Sequence, residues 1–292
     1  MKRFTTLFTL VLLAALPLAA AQTNPDPAEA GIETKEFPLS AFNQISVSSI
    51  YHVELSRSEQ FSVKVEAPDF VMPYLDVKTE NGKLKLGMKE MPQNIRLKLE
   101  TKGRKEVRAF VSMPTLAGLN MSGASKLASR GEVFPAGREF DLKMSGATHL
   151  EGLSVEAGEA DIKCSGAAKF KLKGSFDNMD LELSGAVSGS LDTGSKALRE
   201  MKVKLSGASN LEWSGSAGEL SLTGSGAAKI DASGAPADKA DVRLSGASMA
   251  TVNVEKELSV NLSGASACHY KSGAQFRITK QSISRGATIK QL

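Results

Sequence analysis

Aromatic residues make up only 5% of the 292-residue chain, with one tryptophan, Trp213. That is little for an enzyme that stacks sugar rings, and ordinary for a solenoid whose core is filled by aliphatic side chains. Cysteine and histidine are also scarce, at two and three residues. No His-rich or Cys-rich spacing suits zinc, and no Gly-x-Ser-x-Gly elbow marks a hydrolase. The Gly-Gly-x-Gly-x-Asp nonapeptides of calcium-binding β-helices are missing. Charge of one sign is missing too. Removing Lys2 and Arg3 from the formal +4 of the whole chain leaves +2, so a nucleic-acid partner is not expected.

Long apolar runs are absent except at the start. Lys2 and Arg3 precede an apolar run from Phe4 to Leu18, and Ala19 and Ala21 supply small residues for cleavage. Residues 1–21 are thus expected to be a signal peptide, with Gln22 beginning the exported chain. No cysteine near the site could carry a lipid. No later segment is apolar for long enough to form a transmembrane helix. Residues 22–36 are polar, carry two prolines and are expected to be a disordered leader.

From residue 37 to 117 apolar and polar side chains alternate: Ile45 and Val47, Val53 and Leu55, Phe61, Val63 and Val65, Leu84 and Leu86, then Ile95, Leu97 and Leu99. Period two predicts strands throughout this stretch. Asn81-Gly82 predicts a tight hairpin turn. Lys102, Arg104 and Lys105 fit an exposed loop.

A repeat then takes over. Ser-Gly-Ala recurs with its glycine at Gly123, Gly146, Gly166, Gly185, Gly207, Gly226, Gly246 and Gly264, and a degenerate copy holds Gly286. The spacing of about 20 residues varies, as it does when loops differ and a corner is kept. Two and four residues before each glycine, and four after it, the side chains are small or apolar, and these positions share one face of a strand. One rung cannot bury such a face alone, so rungs must stack. The expected fold is all-β: a single-chain parallel β-helix, right-handed on chirality grounds. Residues 37–292 would form one domain, with strands of 37–117 as an N-terminal cap and Ser-Gly-Ala rungs over 118–292. The polar tail from Lys280 would cap the other end. At each corner glycine permits positive φ, alanine allows close stacking, and serine hydroxyls are expected to hydrogen-bond along the stack.

The repeat register sorts the remaining side chains into columns. Cys164 and Cys268 face inward, five rungs and roughly 24 Å apart. A disulfide needs Cα atoms within about 7 Å, so two buried free thiols are expected. Asp141, Asp161 and Asp180 form an outward acidic column that could hold calcium through several oxygens. Lysines beside the first two make a soluble charged face the better reading. After the corner come Lys126, His149, Lys169 and Lys229, a possible ligand surface for acidic polysaccharide or lipid phosphate, set against an ordinary solvated face. His52, His149 and His269 are placed in distant rungs, and no carboxylate cluster with aromatics is evident. Neither catalytic residues nor a cofactor are expected.

The chain resembles the family described as putative auto-transporter adhesin, head GIN domain. The resemblance runs from Phe42-Asn-Gln-Ile45-Ser-Val47 through Val53-Glu-Leu55, Phe61-Ser-Val63-Lys-Val65 and Asn81-Gly82-Lys-Leu84. It continues at Met113-Pro114-Thr-Leu116 into Leu119-Asn-Met-Ser122-Gly123-Ala124-Ser125 and every later rung. It implies an exported β-helical protein, periplasmic, outer-surface or secreted, with no catalytic residues to carry over. No run of alternating strands fit for a membrane barrel follows the last rung, so self-export is not expected. The implied function is non-catalytic adhesion to a glycan or an envelope protein. A polysaccharide-active enzyme and an envelope scaffold or regulatory component stand as alternatives.

Overall fold

In the computed structural model, residues 31–101, 106–284 and 286–292 are described. The expected signal peptide and the Lys102, Arg104 and Lys105 loop lie outside them. The chain begins with β1 (Ile32–Phe37), β2 (Gln44–Val47), β3 (Tyr51–Arg57), β4 (Ser62–Pro68), β5 (Leu75–Glu80) and β6 (Lys83–Met88). A helix, α1 (Gln93–Thr101), leads to β7 (Val107–Met113), β8 (Gly118–Met121) and β9 (Lys126–Ser129). The repeats supply β10 (Val133–Met144), β11 (His149–Cys164), β12 (Lys169–Ser175), β13 (Asn178–Leu183), β14 (Ser188–Asp192), β15 (Leu198–Leu205) and β16 (Asn210–Ser214). They end with β17 (Ala217–Gly224), β18 (Lys229–Leu244), β19 (Met249–Leu262), β20 (Ala267–Ser272), β21 (Arg277–Ile283) and β22 (Thr288–Gln291).

These strands stack into a parallel β-solenoid of about nine turns. Two walls meet at the Ser-Gly-Ala corner. The wall before the corner runs β6, β2, β8, β10, β11, β13, β15, β17, β18, β19, β21, all parallel. The wall after it runs β7, β3, β9, β11, β12, β14, β16, β18, β19, β20, β22. The long strands β10, β11, β18 and β19 bend through register shifts to pass along a rung.

Chain order and stacking order differ at the N-terminal end. β2 and β3 form a complete rung, paired on both sides. The later strands β6 and β7 lie outside it, and β8 and β9 return to its inner side. Antiparallel strands finish the end: β5 on β6, β4 on β7, and β1 on β4. Asn81 and Gly82 both have positive φ, 50° and 70°, and join Glu80 to Lys83 as a two-residue hairpin turn.

Several expectations are corrected here. Residues 32–36 of the polar leader are strand β1, because the open edge of β4 offers backbone hydrogen-bonding groups that β1 satisfies. Ile95, Leu97 and Leu99 belong to helix α1. The alternation there has no sheet neighbour to bury it: Leu99 is buried while Leu97 is 59% exposed. With no ladder to join, a run of Arg, Leu, Lys and Glu follows its helix propensity, opening on bonds from Ile95 and Arg96 N–H to the Pro92 carbonyl. The tail from Lys280 is not a separate polar cap. It completes β21 and forms β22, the last rung.

The corner is a backbone device. Gly123, Gly146, Gly166, Gly185, Gly207, Gly226, Gly246 and Gly264 take φ between 71° and 88°. From Ala147 to Ala265 the corner alanine N–H donates to the glycine carbonyl one rung back, for example Ala208 to Gly185 at 2.8 Å and Ala247 to Gly226 at 2.7 Å. The stack is so close that a Cβ on Gly207 would lie 2.5 Å from the Gly185 oxygen. The expected ladder of serine hydroxyls does not form. The hydroxyls of Ser122, Ser165, Ser263 and Ser284 turn to main-chain carbonyls instead, for example Ser165 Oγ to Met144 at 3.4 Å and Ser284 Oγ to Leu262 at 3.3 Å. A carbonyl one rung back has a lone pair left over to accept a second hydrogen bond. One corner escaped the sequence reading. Ser48-Ser49-Ile50 occupies the corner of the β2–β3 rung, with Ser49 at φ 70° and its carbonyl accepting from Ala124 N–H at 2.7 Å.

Candidate ligand-binding faces

Inward positions make one continuous apolar core from Phe42 to Cys268. Outward positions make columns, because parallel in-register pairing sets like positions of successive rungs about 4.8 Å apart. Cys164 and Cys268 are both buried and unpaired, on different walls. Burial pushes both thiols up to about 12.

On the wall before the corner, Asp141, Asp161 and Asp180 are in direct register, followed by Lys202 and Ser221. Beside them Glu139, Glu159, Asn178 and Glu200 form a second column. Together they border a shallow acidic groove. Ion pairs thin its charge: Lys163–Asp161 at 2.6 Å, Lys202–Glu200 at 2.7 Å and, just beyond, Lys204–Glu182 at 2.8 Å. The hydrogen bond to Asp161 raises the Lys163 pKa, and Glu200 does the same for Lys202. Among the described residues no three acidic, His or Cys side chains converge as a metal site. The three aspartates point outward in parallel, and a strand spacing is too wide for one ion to bind them all.

The wall after the corner holds the more concentrated site. Lys126, His149 and Lys169 are adjacent in register. Lys229 shares the column but lies beyond Ser188 and Asn210, about 14 Å from Lys169 at strand spacing. On the other side of Lys126 comes His52, then Arg108. Five successive strands therefore present Arg108, His52, Lys126, His149 and Lys169. His52 and His149 flank one lysine and are not in distant rungs, which corrects the sequence reading. His269 is far along the wall, at the β20 level. The sequence held a signal for His52: it stands three residues after Ser49, as Lys126 and His149 stand three after Gly123 and Gly146.

A notch opens beside this column. Ala128 lies between Glu54 and Glu151 in register, and its short side chain leaves a hollow bordered by His52, Glu54, Lys126, His149 and Glu151. Arg130 and Lys171 tether the two glutamates at 3.7 Å and 3.9 Å. Glu106 contacts His52 Nδ1 at 3.5 Å and Arg108 at 3.6 Å. Burial lowers the His52 pKa, and Lys126 and Arg108 add to the effect against the opposing Glu106. Lys126 has no carboxylate within ion-pair distance among the described residues. The notch thus offers an unpaired ammonium, two imidazoles and two carboxylates to a polar ligand.

Stacked parallel rungs, a glycine corner and outward columns define a β-solenoid repeat protein. The chain belongs to the family described as "Putative auto-transporter adhesin, head GIN domain", which matches residues 41–193 and 186–274. Solved structures share the fold. A putative adhesin from Parabacteroides distasonis superposes with a TM-score of 0.67 at 15% identity, covering 91% of this chain and 98% of its own. A putative lipid binding protein from the same species gives 0.63 at 20%, covering 90% and 98%. A putative adhesin from Parabacteroides merdae gives 0.63 at 15%, covering 90% and 97%. No curated protein matches the chain. Among the described residues no helix is long and apolar enough to cross a membrane.

Proposed function

We propose that this protein is an exported, non-catalytic solenoid that binds a cell-surface glycan or an envelope protein through the wall after the corner. It would act in the periplasm, on the outer surface or after secretion. The observation that carries this reading is the run of Arg108, His52, Lys126, His149 and Lys169 on five adjacent strands. A line of cations at strand spacing suits a linear polymer with regularly placed acidic groups, and the notch over Ala128 suits one sugar-sized unit of it. Membership of a family described as adhesins supports a binding role. Lys229 would extend contact with a longer polymer. The acidic column of Asp141, Asp161 and Asp180 would be a solvated face on the wall before the corner.

One observation favours a second reading. His52 and His149 stand beside Glu54 and Glu151, and paired acids and bases in a hollow are what a polysaccharide-active enzyme would need. Binding to an array of acidic glycans, abolished by Lys126→Glu and without release of reducing ends or unsaturated sugars, supports adhesion. Release of either product establishes the enzyme. Capture of a single envelope protein with no glycan binding supports a scaffold. Protease shaving of intact cells tests location: a fully protected pool would sink the outer-surface reading.

A further inference from the structure

The two ends of the solenoid differ. Among the described residues the outermost strands at the N-terminal end are β1 and β5, each paired with one neighbour. At the C-terminal end they are β21 and β22, paired only with β19 and β20 among the described residues. Side chains that would be core in an interior rung stand uncovered there. Ile278 is 37% exposed, while Leu258, its register partner one layer inward, is 0% exposed. Ile283 and Ile289 are likewise only partly buried, above the fully buried Leu262 and Cys268. The last rung sets Ile278, Ile283 and Ile289, with polar Gln281 on Val260, over the core, and no further layer covers it among the described residues.

Charge separates the same two ends. The chain has no Asp or Glu after Glu257. Lys280 on β21 and Lys290 on β22 make no ion pair among the described residues. At the opposite end β1 carries Glu33 and Glu36 against Lys35, and β5 carries Asp76 and Glu80 against Lys78. Each of those edge strands is net acidic. Two copies meeting by their C-terminal rungs would set lysine against lysine. A C-terminal rung meeting an N-terminal edge sets lysine against glutamate, in addition to pairing backbone groups and covering the exposed isoleucines.

We propose that the C-terminal rung docks on the N-terminal strands of a second copy of this chain, so that solenoids stack head to tail. β22 would continue the wall after the corner onto β1, which stands one strand further out than β5. Such a contact is heterologous and leaves both outer ends free, so it propagates as a filament rather than stopping at a dimer.

Sedimentation velocity of the purified protein across a concentration series tests this. At low salt the sedimentation coefficient should climb without a plateau at twice the monomer mass, and fall back at high salt. Lys280→Glu with Lys290→Glu should weaken association at least tenfold, with an unchanged circular dichroism spectrum because both side chains are exposed. Mixing that variant with a Glu33→Lys, Glu36→Lys variant should restore it, since each reversed end then meets a complementary one. A monomer at every concentration and ionic strength would overturn the proposal and leave the lysines as guards against edge pairing. A dimer that grows no further would overturn it too.

Discussion

Phe170 fills the space that Gly189 leaves vacant in the next rung. The two are direct register partners on the wall after the corner, and a Cβ on Gly189 would sit 2.4 Å from Phe170 Cζ. Their column elsewhere carries Leu127, Leu150, Leu211 and Ile230, so the core volume is kept by pairing one large residue with none. Gly189→Ala should destabilise the protein by about 1–3 kcal/mol through overpacking. Adding Phe170→Leu should recover part of that loss, with a coupling of roughly 0.5 kcal/mol or more in a double-mutant cycle by denaturant unfolding. Strict additivity would show that the ring does not depend on the glycine.

The corner glycines should tolerate alanine much less well than loop glycines with similar backbone angles. Gly207 and Gly131 both have positive φ, 71° and 94°. Only Gly207 has a carbonyl oxygen within 2.5 Å of the new methyl, whereas nothing lies within 4 Å at Gly131. Gly131→Ala should cost about 1 kcal/mol, the conformational part alone. Gly207→Ala should cost more, roughly 3 kcal/mol, because the stack must part. Equal melting temperatures for the two variants would deny the role of the corner wire.

Ser49 holds a corner position at φ 70° where every Ser-Gly-Ala rung has glycine. Ser49→Gly should therefore raise stability by about 1 kcal/mol, measured as a higher unfolding midpoint. A loss of stability would mean that the Ser49 hydroxyl, which contacts Met88 Sδ at 3.3 Å, matters more than the backbone strain.

His52 should titrate below the usual histidine range, since burial disfavours the imidazolium. The stability it contributes is present above its unfolded pKa of about 6.5 and is lost as pH falls through the folded value. Glu106→Gln should lower its midpoint further by removing the carboxylate that favours the charged form. Imidazole chemical shifts followed by NMR against pH check both statements. A midpoint above 6.5 in the unaltered protein would contradict the first.

Cys164 and Cys268 should be inert to a thiol reagent in the native protein at pH 8, because their thiols are buried and pushed up to about 12. Unfolding should release two reactive thiols per chain. A denatured chain without free thiol would refute the register that sets them on different walls.

The rungs were legible in sequence because their information is local. Apolar side chains two and four residues before Gly123 or Gly264 announce one strand face, and glycine announces the bend. The acidic column followed from the same arithmetic, and Asp141, Asp161 and Asp180 do lie in register. Helix α1 was missed because Ile95, Leu97 and Leu99 alternate as a strand does, and only the lack of a neighbouring strand makes the segment a helix. The β2–β3 rung was hidden because serine stands where the repeat elsewhere has glycine.

By itself the sequence determined the repeat, its inward faces and the Ser-Gly-Ala corner, since each is written within one rung of about 20 residues. Only the tertiary structure decided that the corner is a backbone wire rather than a hydroxyl ladder, because serine chooses between acceptors that belong to another rung. It alone brought His52 and Arg108 beside Lys126 and His149. Those residues come from a segment that folds outward and returns, so their nearness depends on stacking order, and stacking order at that end departs from chain order.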